Sequence, residues 1–237
     1  MMINFSEKKI MVVVAHPDDE LLGLGGTMNK LIIEKNATIH VVILGEGLTS
    51  RSDKRNIEKF SDELLVHRKN INNACEKIGY QSVSIYDFPD NRFDSIDLLD
   101  IVKVIEKEKR EFSPDIIFTH HGGDLNIDHR YVFNAVMTAC RPLEGEKVKT
   151  IITFETPSGT EWRPVTDPNH FLPNFYSIIS QDNLNAKIAA MECYVFEKRE
   201  YPHPRSPKAL KIFAQRAGII IGYELAECFC VVRHIEI

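Results

Sequence analysis

The sequence predicts an α/β protein with a Rossmann-like, mostly parallel sheet flanked by helices. In its first third, short runs rich in Val and Ile alternate with longer stretches of helical periodicity, which is typical of repeated strand–helix units. These runs are continuously apolar rather than alternating, so helices should cover the strands on both faces. A length of 237 residues suits one compact domain with a substantial core. We therefore expect residues 1–237 to form a single α/β domain.

The individual elements follow from this pattern in chain order. The first four strands are predicted at MVVVA, ATIHVVILG, SVSIYDF and PDIIFTH. Helices are predicted over residues 18–35, 60–78, 96–110 and 129–139. After the second strand, residues 45–57 are polar and contain glycine, which indicates a mobile surface loop able to act as a lid.

The C-terminal third has a different pattern, with shorter elements separated by Pro-rich stretches. The predicted elements are strands at KTIITFET, FYSIIS and AECFCVVRHI and helices over residues 184–191 and 208–218. We expect these C-terminal elements to cap the sheet.

Composition and charge exclude several classes of function. The net charge of −5 and the interspersed charges give no reason to expect a polyanion as a general partner, and they leave a local basic patch open. The apolar runs are too short for a membrane span, and the first is followed at once by HPDDE, which is unlike a signal peptide. Five cysteines without a CxxC pair suit small core residues in a reducing compartment. We expect a soluble, cytoplasmic protein without nucleic-acid or membrane partners.

A first cluster of chemically active side chains, AHPDDE, follows the first predicted strand. Pro17 suits the first helical position, which makes His16 the predicted N-cap. His16 and Asp19 are three residues apart across this turn, so both can face one space with Asp18 beside them. Acidic residues at a helix start also complement the helix dipole, and this cluster alone favours neither interpretation.

A second cluster follows the fourth predicted strand, and its composition favours a functional site. Gly122 and Gly123 permit a sharp turn there. The ten-residue stretch contains three histidines and two aspartates, namely His120, His121, Asp124, Asp128 and His129. Both clusters should emerge at the carboxyl edge of the parallel sheet, where ligands bind at a topological switch point.

Two histidines and one carboxylate with open coordination positions suit catalytic Zn²⁺, and also Fe²⁺. His16 and Asp19 supply two of these ligands, and His129, at the start of the next helix, is the better third one. His120 and His121 instead complete a strand or support the ligands. A metal ion acidifies a water molecule that a neighbouring carboxylate can deprotonate, and Asp18 is our candidate for this base.

At these residues the sequence resembles the LmbE-like or PIG-L family of zinc-dependent deacetylases, whose motifs are (P/A)HPDDE and HxDH. AHPDDE matches the first motif fully, and NIDH matches the second except at its first residue. The resemblance implies a Rossmann-like fold and removal of an N-acetyl group from a glucosamine-containing molecule. It also implies that His16, Asp19 and His129 bind the metal ion and that Asp18 is the general base.

Asn126 is the departure from the family pattern, because many members have a histidine there that protonates the leaving amine or stabilises the oxyanion. An amide donates a hydrogen bond but delivers no proton at neutral pH. Either Asp18 acts as base and then acid, or His121 or Asp124 takes the second role. Asp128 should orient whichever imidazole it meets.

The candidate substrate contacts lie in three regions. Arg68, in the HRKN run, resembles the family arginine that contacts the sugar, and a solvated charge on the helix is an equally good interpretation. Asp124 is a candidate in the second cluster. His203 and Arg205, in YPHPRSP, are placed to reach a phosphate or a sugar hydroxyl if their loop faces the site.

Two alternatives remain open at this stage, and a third is disfavoured. A metal-dependent hydrolase of a different amide uses the same residues, and a sugar-binding pseudoenzyme is compatible with Asn126. Nucleotide binding at LGLGG is disfavoured, because Gly23, Gly25 and Gly26 lack GxGxxG spacing and instead allow close helix packing. The favoured substrate is a small or nucleotide-linked amino sugar, and a homo-oligomer is compatible with the sequence.

Overall fold

A seven-stranded sheet runs through the centre of the protein. The structure is a computed structural model and describes residues 3–236. The strands are β1 (Lys9–Val14), β2 (Thr38–Gly45), β3 (Ser82–Phe88), β4 (Ile116–His120), β5 (Thr150–Phe154), β6 (Phe175–Ile178) and β7 (Ala226–His234). Their order across the sheet is β3-β2-β1-β4-β5-β7-β6.

Six α-helices accompany the sheet within the described residues. They are α1 (Asp19–Lys35), α2 (Ser61–Ile78), α3 (Leu98–Phe112), α4 (Ile127–Ala139), α5 (Gln181–Met191) and α6 (Pro207–Ile221). Each helix bound agrees with its prediction to within three residues, because the periodic patterns are long and the apolar faces are well defined. No helix in this part of the chain combines the length and apolar character needed to cross a membrane.

The fold class is confirmed, since β3, β2, β1, β4 and β5 pair in parallel. The C-terminal third was predicted to cap the sheet, but it also supplies strands of the sheet itself. β7 pairs antiparallel with both β5 and β6, so two C-terminal strands extend the sheet. α5 and α6, from the same third, pack on the face that also carries α1 and α2.

β1 shows why its sequence is continuously apolar. Ile10, Val12 and Val14 face the core shared with α1, α2 and α5, while Met11 and Val13 face the core shared with α3 and α4. All five side chains are fully buried. Helices therefore cover both faces of the strand, as predicted for a parallel sheet.

The strand order reverses between β1 and β4. From β1 the chain proceeds through β2 and β3 on one side, and it then crosses over to β4 on the other. The loops that follow two adjacent parallel strands diverge at such a point and leave a crevice at the carboxyl edge of the sheet. Both sequence clusters emerge at this crevice, since they directly follow β1 and β4.

Gly23 allows α1 to lie close to the sheet beneath the crevice. A Cβ atom at this position would lie 2.2 Å from the ring of Phe154 in β5. Phe154 in turn contacts the imidazole of His120 at the end of β4, with ring centroids 5.2 Å apart. The close helix packing predicted for this glycine is therefore present.

Replacing Gly23 with Ala should lower the free energy of unfolding by about 1–3 kcal/mol, because the packed ring must move. This cost exceeds the gain of up to about 1 kcal/mol in helix propensity. Gly25→Ala is the matched control, since its new methyl group would meet the side chain of Lys187 at 3.0 Å, a much looser contact than the 2.2 Å at Gly23. Urea denaturation measures both variants, and equal effects would contradict this explanation.

Candidate metal centre and active site

Three side chains from the two clusters converge in the crevice. Oδ2 of Asp19 lies 3.3 Å from Nδ1 of His16 and 3.3 Å from Nε2 of His129. All three atoms lie within 4.8 Å of one another, and all three residues are buried. The structure thus brings together the three residues that the sequence nominates as metal ligands.

The backbone at the end of β1 differs from the prediction. His16 is not the N-cap, because α1 begins at Asp19 and Asp18 occupies the cap position. Asp18 adopts a left-handed conformation with φ 98°, which is uncommon for a residue with a side chain. The carboxylate of Asp19 accepts a hydrogen bond from His16 N at 2.8 Å and so fixes this turn. Such strain is concentrated at functional sites.

In each of the two ligand imidazoles, the ring nitrogen that does not face Asp19 faces another buried carboxylate. Nε2 of His16 is hydrogen bonded to Asp128 Oδ2 at 2.9 Å, and Nδ1 of His129 lies 3.2 Å from Asp124 Oδ1. Histidine ligands of metal ions are commonly oriented in this way. Among residues 3–236, neither ring nitrogen of the buried His129 has a well-aligned hydrogen bond. The donor set therefore fits a divalent metal ion.

Asp90 lies beside this arrangement and forms a second acidic group with His16 and Asp128. Its Oδ2 accepts hydrogen bonds from the backbone and hydroxyl of Ser50, and its Oδ1 lies 3.4 Å from His16 Nε2. That nitrogen is already bonded to Asp128 and is therefore not free to bind a second metal ion. We infer that Asp90 helps to orient the imidazole of His16.

His120 packs against the ligand His129 on the side of the sheet. Its ring stacks on that of His129, with centroids 3.8 Å apart and planes 6° apart. Nε2 accepts a hydrogen bond from Ala15 N at 2.9 Å, so the neutral ring carries its proton on Nδ1, which lies 3.1 Å from Thr156 Oγ1. Burial and the neighbouring His129 lower the pKa of His120 to about 4, and it remains neutral.

The ligand side chains have strongly perturbed acidities. Burial opposes the charged form of His129, but Asp19 and Asp124 outweigh it and raise its pKa to about 9. Burial acts against ionised Asp19 as well, and His129 and His120 nevertheless bring its pKa well below the usual value. Oppositely charged groups at this distance stabilise each other in a buried site. The same attraction would hold a cation among them.

Asp18 is buried next to the ligands and contacts Arg205. Oδ2 of Asp18 accepts a hydrogen bond from Arg205 Nη1 at 3.0 Å, and the same nitrogen donates to Glu197 Oε2 at 2.7 Å. Burial raises the pKa of Asp18 well above its usual value, although Arg205 acts in the opposite direction. Asp18 is thus a carboxylate with increased proton affinity, held in place by a guanidinium.

A cavity of about 260 Å³ opens above these residues. Its lining includes His16 and Asp18 from the loop after β1 and half-exposed Trp162 at its rim. The loop at residues 45–57 contributes Ser50 and Arg51 to the wall, tied by hydrogen bonds to Asp90 and Glu197. The predicted lid region therefore borders the site, and its mobility stays a prediction.

The other nominated residues divide into two groups. Asn126, His203 and Arg205 line the cavity. Asn126 also caps α4, because its Oδ1 accepts a hydrogen bond from Asp128 N at 2.9 Å. His203 accepts a hydrogen bond from Arg205 N on Nδ1 at 3.2 Å, and its ring meets that of Trp162 edge to face.

Three nominated residues do not reach the cavity. Asp124 is fully buried behind His129 and is absent from the cavity lining, so the structure gives no support to its predicted contact with substrate. His121 is bonded through Nε2 to Asn169 O at 2.7 Å and is not part of the lining, which removes support for a catalytic role. Arg68 is half-exposed on α2 and forms a bidentate ion pair with Asp87 outside the cavity.

His67, the neighbour of Arg68, is the buried residue on this part of α2. Its ring lies against Tyr194 and Phe196. Neither ring nitrogen has a hydrogen-bond partner among residues 3–236. The sequence offered little to distinguish it from Arg68, since a shift of one residue turns a helix by about 100°. Asp90 was more accessible to prediction, because PDN directly follows β3.

Asp128→Asn should weaken metal binding by about 10- to 100-fold. Phe93 N donates to Asp128 Oδ1, so the amide oxygen should stay there and the amide nitrogen should face His16 Nε2. That nitrogen would then favour the tautomer of His16 with its proton on Nδ1. A zinc titration against a chelator measures the change. Asp115→Asn is the control carboxylate, and equal affinities of the two variants would refute the orienting role.

Burial lowers the pKa of His67 to about 4, which predicts a pH-dependent stability. Below pH 6.5 the unfolded chain binds a proton that the folded protein does not bind, so the free energy of unfolding falls as the pH falls towards 4. The contribution is at most about 3 kcal/mol. His67→Phe should flatten this dependence in urea denaturation between pH 7 and pH 4.5. A slope unchanged from the parent protein would rule out His67 as its source.

Comparison with known proteins gives a family and a fold. Residues 11–140 match the family described as PIG-L, GlcNAc-PI de-N-acetylase. The Escherichia coli (strain K12) protein described as uncharacterized deacetylase YaiS is 26% identical over 190 residues, which cover 78% of this chain and 89% of that protein.

Two solved structures share the fold at low sequence identity. The N,N'-diacetylchitobiose deacetylase from Pyrococcus horikoshii has a TM-score of 0.74 at 17% identity, covering 95% of this chain and 84% of that one. The 4-carboxy-2-hydroxymuconate hydratase GalB from Pseudomonas putida KT2440 has a TM-score of 0.73 at 20% identity, covering 97% and 98%. The family match spans more than half of the chain, from β1 to α4, and includes both clusters. The chain therefore belongs to the PIG-L family of GlcNAc-PI de-N-acetylases, as its two motifs indicate.

Proposed function

We propose that this protein is a metal-dependent hydrolase that removes the N-acetyl group from an amino sugar or an amino-sugar conjugate. The observation that carries the proposal is the position of Asp18, a buried carboxylate that borders both the His16, Asp19 and His129 group and the cavity. A base beside a cation site and open to a substrate pocket is the arrangement that amide hydrolysis by water requires.

The ligand group suits Zn²⁺, and Fe²⁺ is the second candidate, because two imidazoles and one carboxylate are acceptable to both ions. His16, Asp19 and His129 would hold the ion. When bound, it supplies Lewis acidity that polarises the acyl carbonyl and makes water easier to deprotonate.

Asp18 takes the proton from the attacking water. Its Oδ2 accepts a hydrogen bond from Arg205, whereas Oδ1 accepts none from residues 3–236 and is the oxygen available to the proton. Burial raises the pKa of Asp18, so the carboxylate holds this proton more firmly than an exposed aspartate would. The new bond joins the water oxygen to the acyl carbon.

The leaving amine must then be protonated, and the structure favours Asp18 for this step too. Asp124 is shielded by His129, and His121 is engaged with Asn169. Asn126 lines the cavity but has no proton to give, so its Nδ2 contributes at most a hydrogen bond, as it does to Asn91 at 3.0 Å. The proton on Asp18 passes to the nitrogen as the C–N bond breaks, and the products are acetate and a free amine.

Trp162 supports a sugar as the substrate. Its half-exposed indole lies at the rim of a cavity whose other walls are mostly polar or charged. A sugar ring can place its apolar C–H face on such an aromatic surface while its hydroxyls meet polar groups. Both a small amino sugar and a nucleotide-linked one remain compatible with this contact.

The two alternative functions are a sugar-binding pseudoenzyme and a hydrolase of a different amide. The fold is shared with a hydratase, so the fold by itself does not select amide hydrolysis. A sugar-binding pseudoenzyme needs no base, and the buried Asp18 with its guanidinium partner is unexplained in that case. A hydrolase of a different amide differs only in the substrate that the cavity accepts.

Asp18→Asn should reduce deacetylation of N-acetylglucosamine derivatives by at least about 100-fold, because an amide cannot accept the proton from water. Release of acetate and of free amine is measured in parallel, with the metal content of both proteins. Asp87→Asn, outside the cavity, is the control. Retained turnover with retained metal would overturn the role of Asp18, and no amine release by the parent protein from any derivative would overturn the function.

A further inference from the structure

Three arginines surround a single buried glutamate on the wall of the cavity. Glu197 is almost completely buried, and Arg51, Arg199 and Arg205 all lie within 4 Å of its carboxylate. All four residues line the cavity that contains Asp18. They come from separate parts of the chain, because Arg51 belongs to the loop after β2 and the others to the segment between α5 and α6.

The contacts use only part of each guanidinium. Arg51 donates through Nη2 to Glu197 Oε1 at 2.5 Å and to Phe196 O at 3.1 Å. Arg199 donates through Nη1 to two backbone carbonyls, and its Nη2 lies 3.9 Å from Glu197. Arg205 uses Nε and Nη1. Within residues 3–236 this leaves Nε and Nη1 of Arg51, Nε and Nη2 of Arg199 and Nη2 of Arg205 without hydrogen bonds.

The cluster also has more positive than negative charge. Three guanidiniums meet two carboxylates, Glu197 and Asp18, of which Asp18 contacts only Arg205. Asp90, the third carboxylate of the lining, is bonded to Ser50 and lies beside His16 instead of contacting an arginine. The side chains of Arg51 and Arg199 are 39% and 40% exposed, so their free N–H groups are accessible from the cavity side. A purely structural ion pair around Glu197 would need one arginine rather than three.

We propose that this cluster binds an oxyanion, a phosphate or a carboxylate, carried by the substrate itself. The inference rests on the proposed function, because it places the anion relative to the bond that Asp18 helps to break. Arg205 contacts both Asp18 and Glu197, so the anion site is one guanidinium away from the base. The oxyanion is therefore attached to the amino sugar or to the first group linked to it. Guanidinium donors match both anions in a bidentate manner.

Binding of inorganic phosphate tests the cluster without any turnover. Trp162 is the only tryptophan of the chain and lines the same cavity, so its fluorescence reports on ligands there. Calorimetry of the same zinc-loaded samples detects binding that leaves the emission unchanged. We expect the Arg51→Gln/Arg199→Gln double variant to bind phosphate at least about tenfold more weakly than the parent protein. Both arginines are partly exposed, so the double variant should fold.

Arg141→Gln is the matched control, since Arg141 is exposed and lies outside this cavity. It should bind phosphate as the parent protein does. Phosphate binding of equal strength in the parent and the double variant would overturn the proposal, since the anion would then be held elsewhere, for example by the metal ion. Absence of binding to the parent protein at millimolar phosphate would overturn it as well.

Substrate preference provides the second measurement. kcat/KM is compared for three N-acetylglucosamine derivatives: the neutral methyl glycoside, the 1-phosphate and the O-glycoside of a hydroxy acid, which keeps a free carboxylate. We expect the parent protein to prefer at least one anionic derivative by about tenfold or more, and the double variant to lose this preference. The two anionic arms show whether phosphate or carboxylate is the natural group.

The outcomes separate the two proposals. Deacetylation of all three derivatives with equal kcat/KM would leave the proposed function intact and overturn the anion site. Phosphate binding that depends on Arg51 and Arg199, without deacetylation of any derivative, would instead retain the anion site and overturn the deacetylase function.

Discussion

The site depends on the mutual compensation of ionisable groups buried at the carboxyl ends of β1 and β4. His16, Asp19 and His129 are almost inaccessible to water, as are the carboxylates of Asp124 and Asp128 behind them. Isolated buried charges are expensive, so each group needs an opposite partner at short range. The imidazoles of His16 and His129 each have a carboxylate on both sides, and the excess of acidic over basic groups is what a divalent cation would balance.

Adjacent parallel strands make this compensation feasible. β1 and β4 pair over four residues, and their following loops diverge at the reversal of strand order. The hydrogen bond from Ala15 N to His120 then joins the two strand ends, and the stacked His129 rests on that imidazole. Because α1 packs tightly through Gly23 on Phe154, the ring beneath His120 is also held in place. The ligand positions thus depend on the core rather than on the loops alone.

The sequence was sufficient to predict the parallel part of the sheet, the helices and the convergence of two clusters, because continuous apolar runs and strand-end motifs have direct physical meanings. It failed where a small rotation decides the outcome. Arg68 and His67 are neighbours on α2, yet only His67 is buried, and the exposed apolar side chains of Leu65 and Val66 obscure which face of the helix is inward at this point. Glu197 and Arg51 were missed for a different reason. Their contact joins residues 146 positions apart, and neither lies in a recognisable motif.

The left-handed backbone of Asp18 also has a consequence for the evolution of the protein. A non-glycine residue in this conformation costs about 1–3 kcal/mol, and glycine would adopt it at almost no cost. Selection for thermal robustness alone would therefore favour glycine at this turn. An aspartate at this turn is therefore explained by its chemical role. A homologue that no longer needs this role could become more stable by a single substitution to glycine.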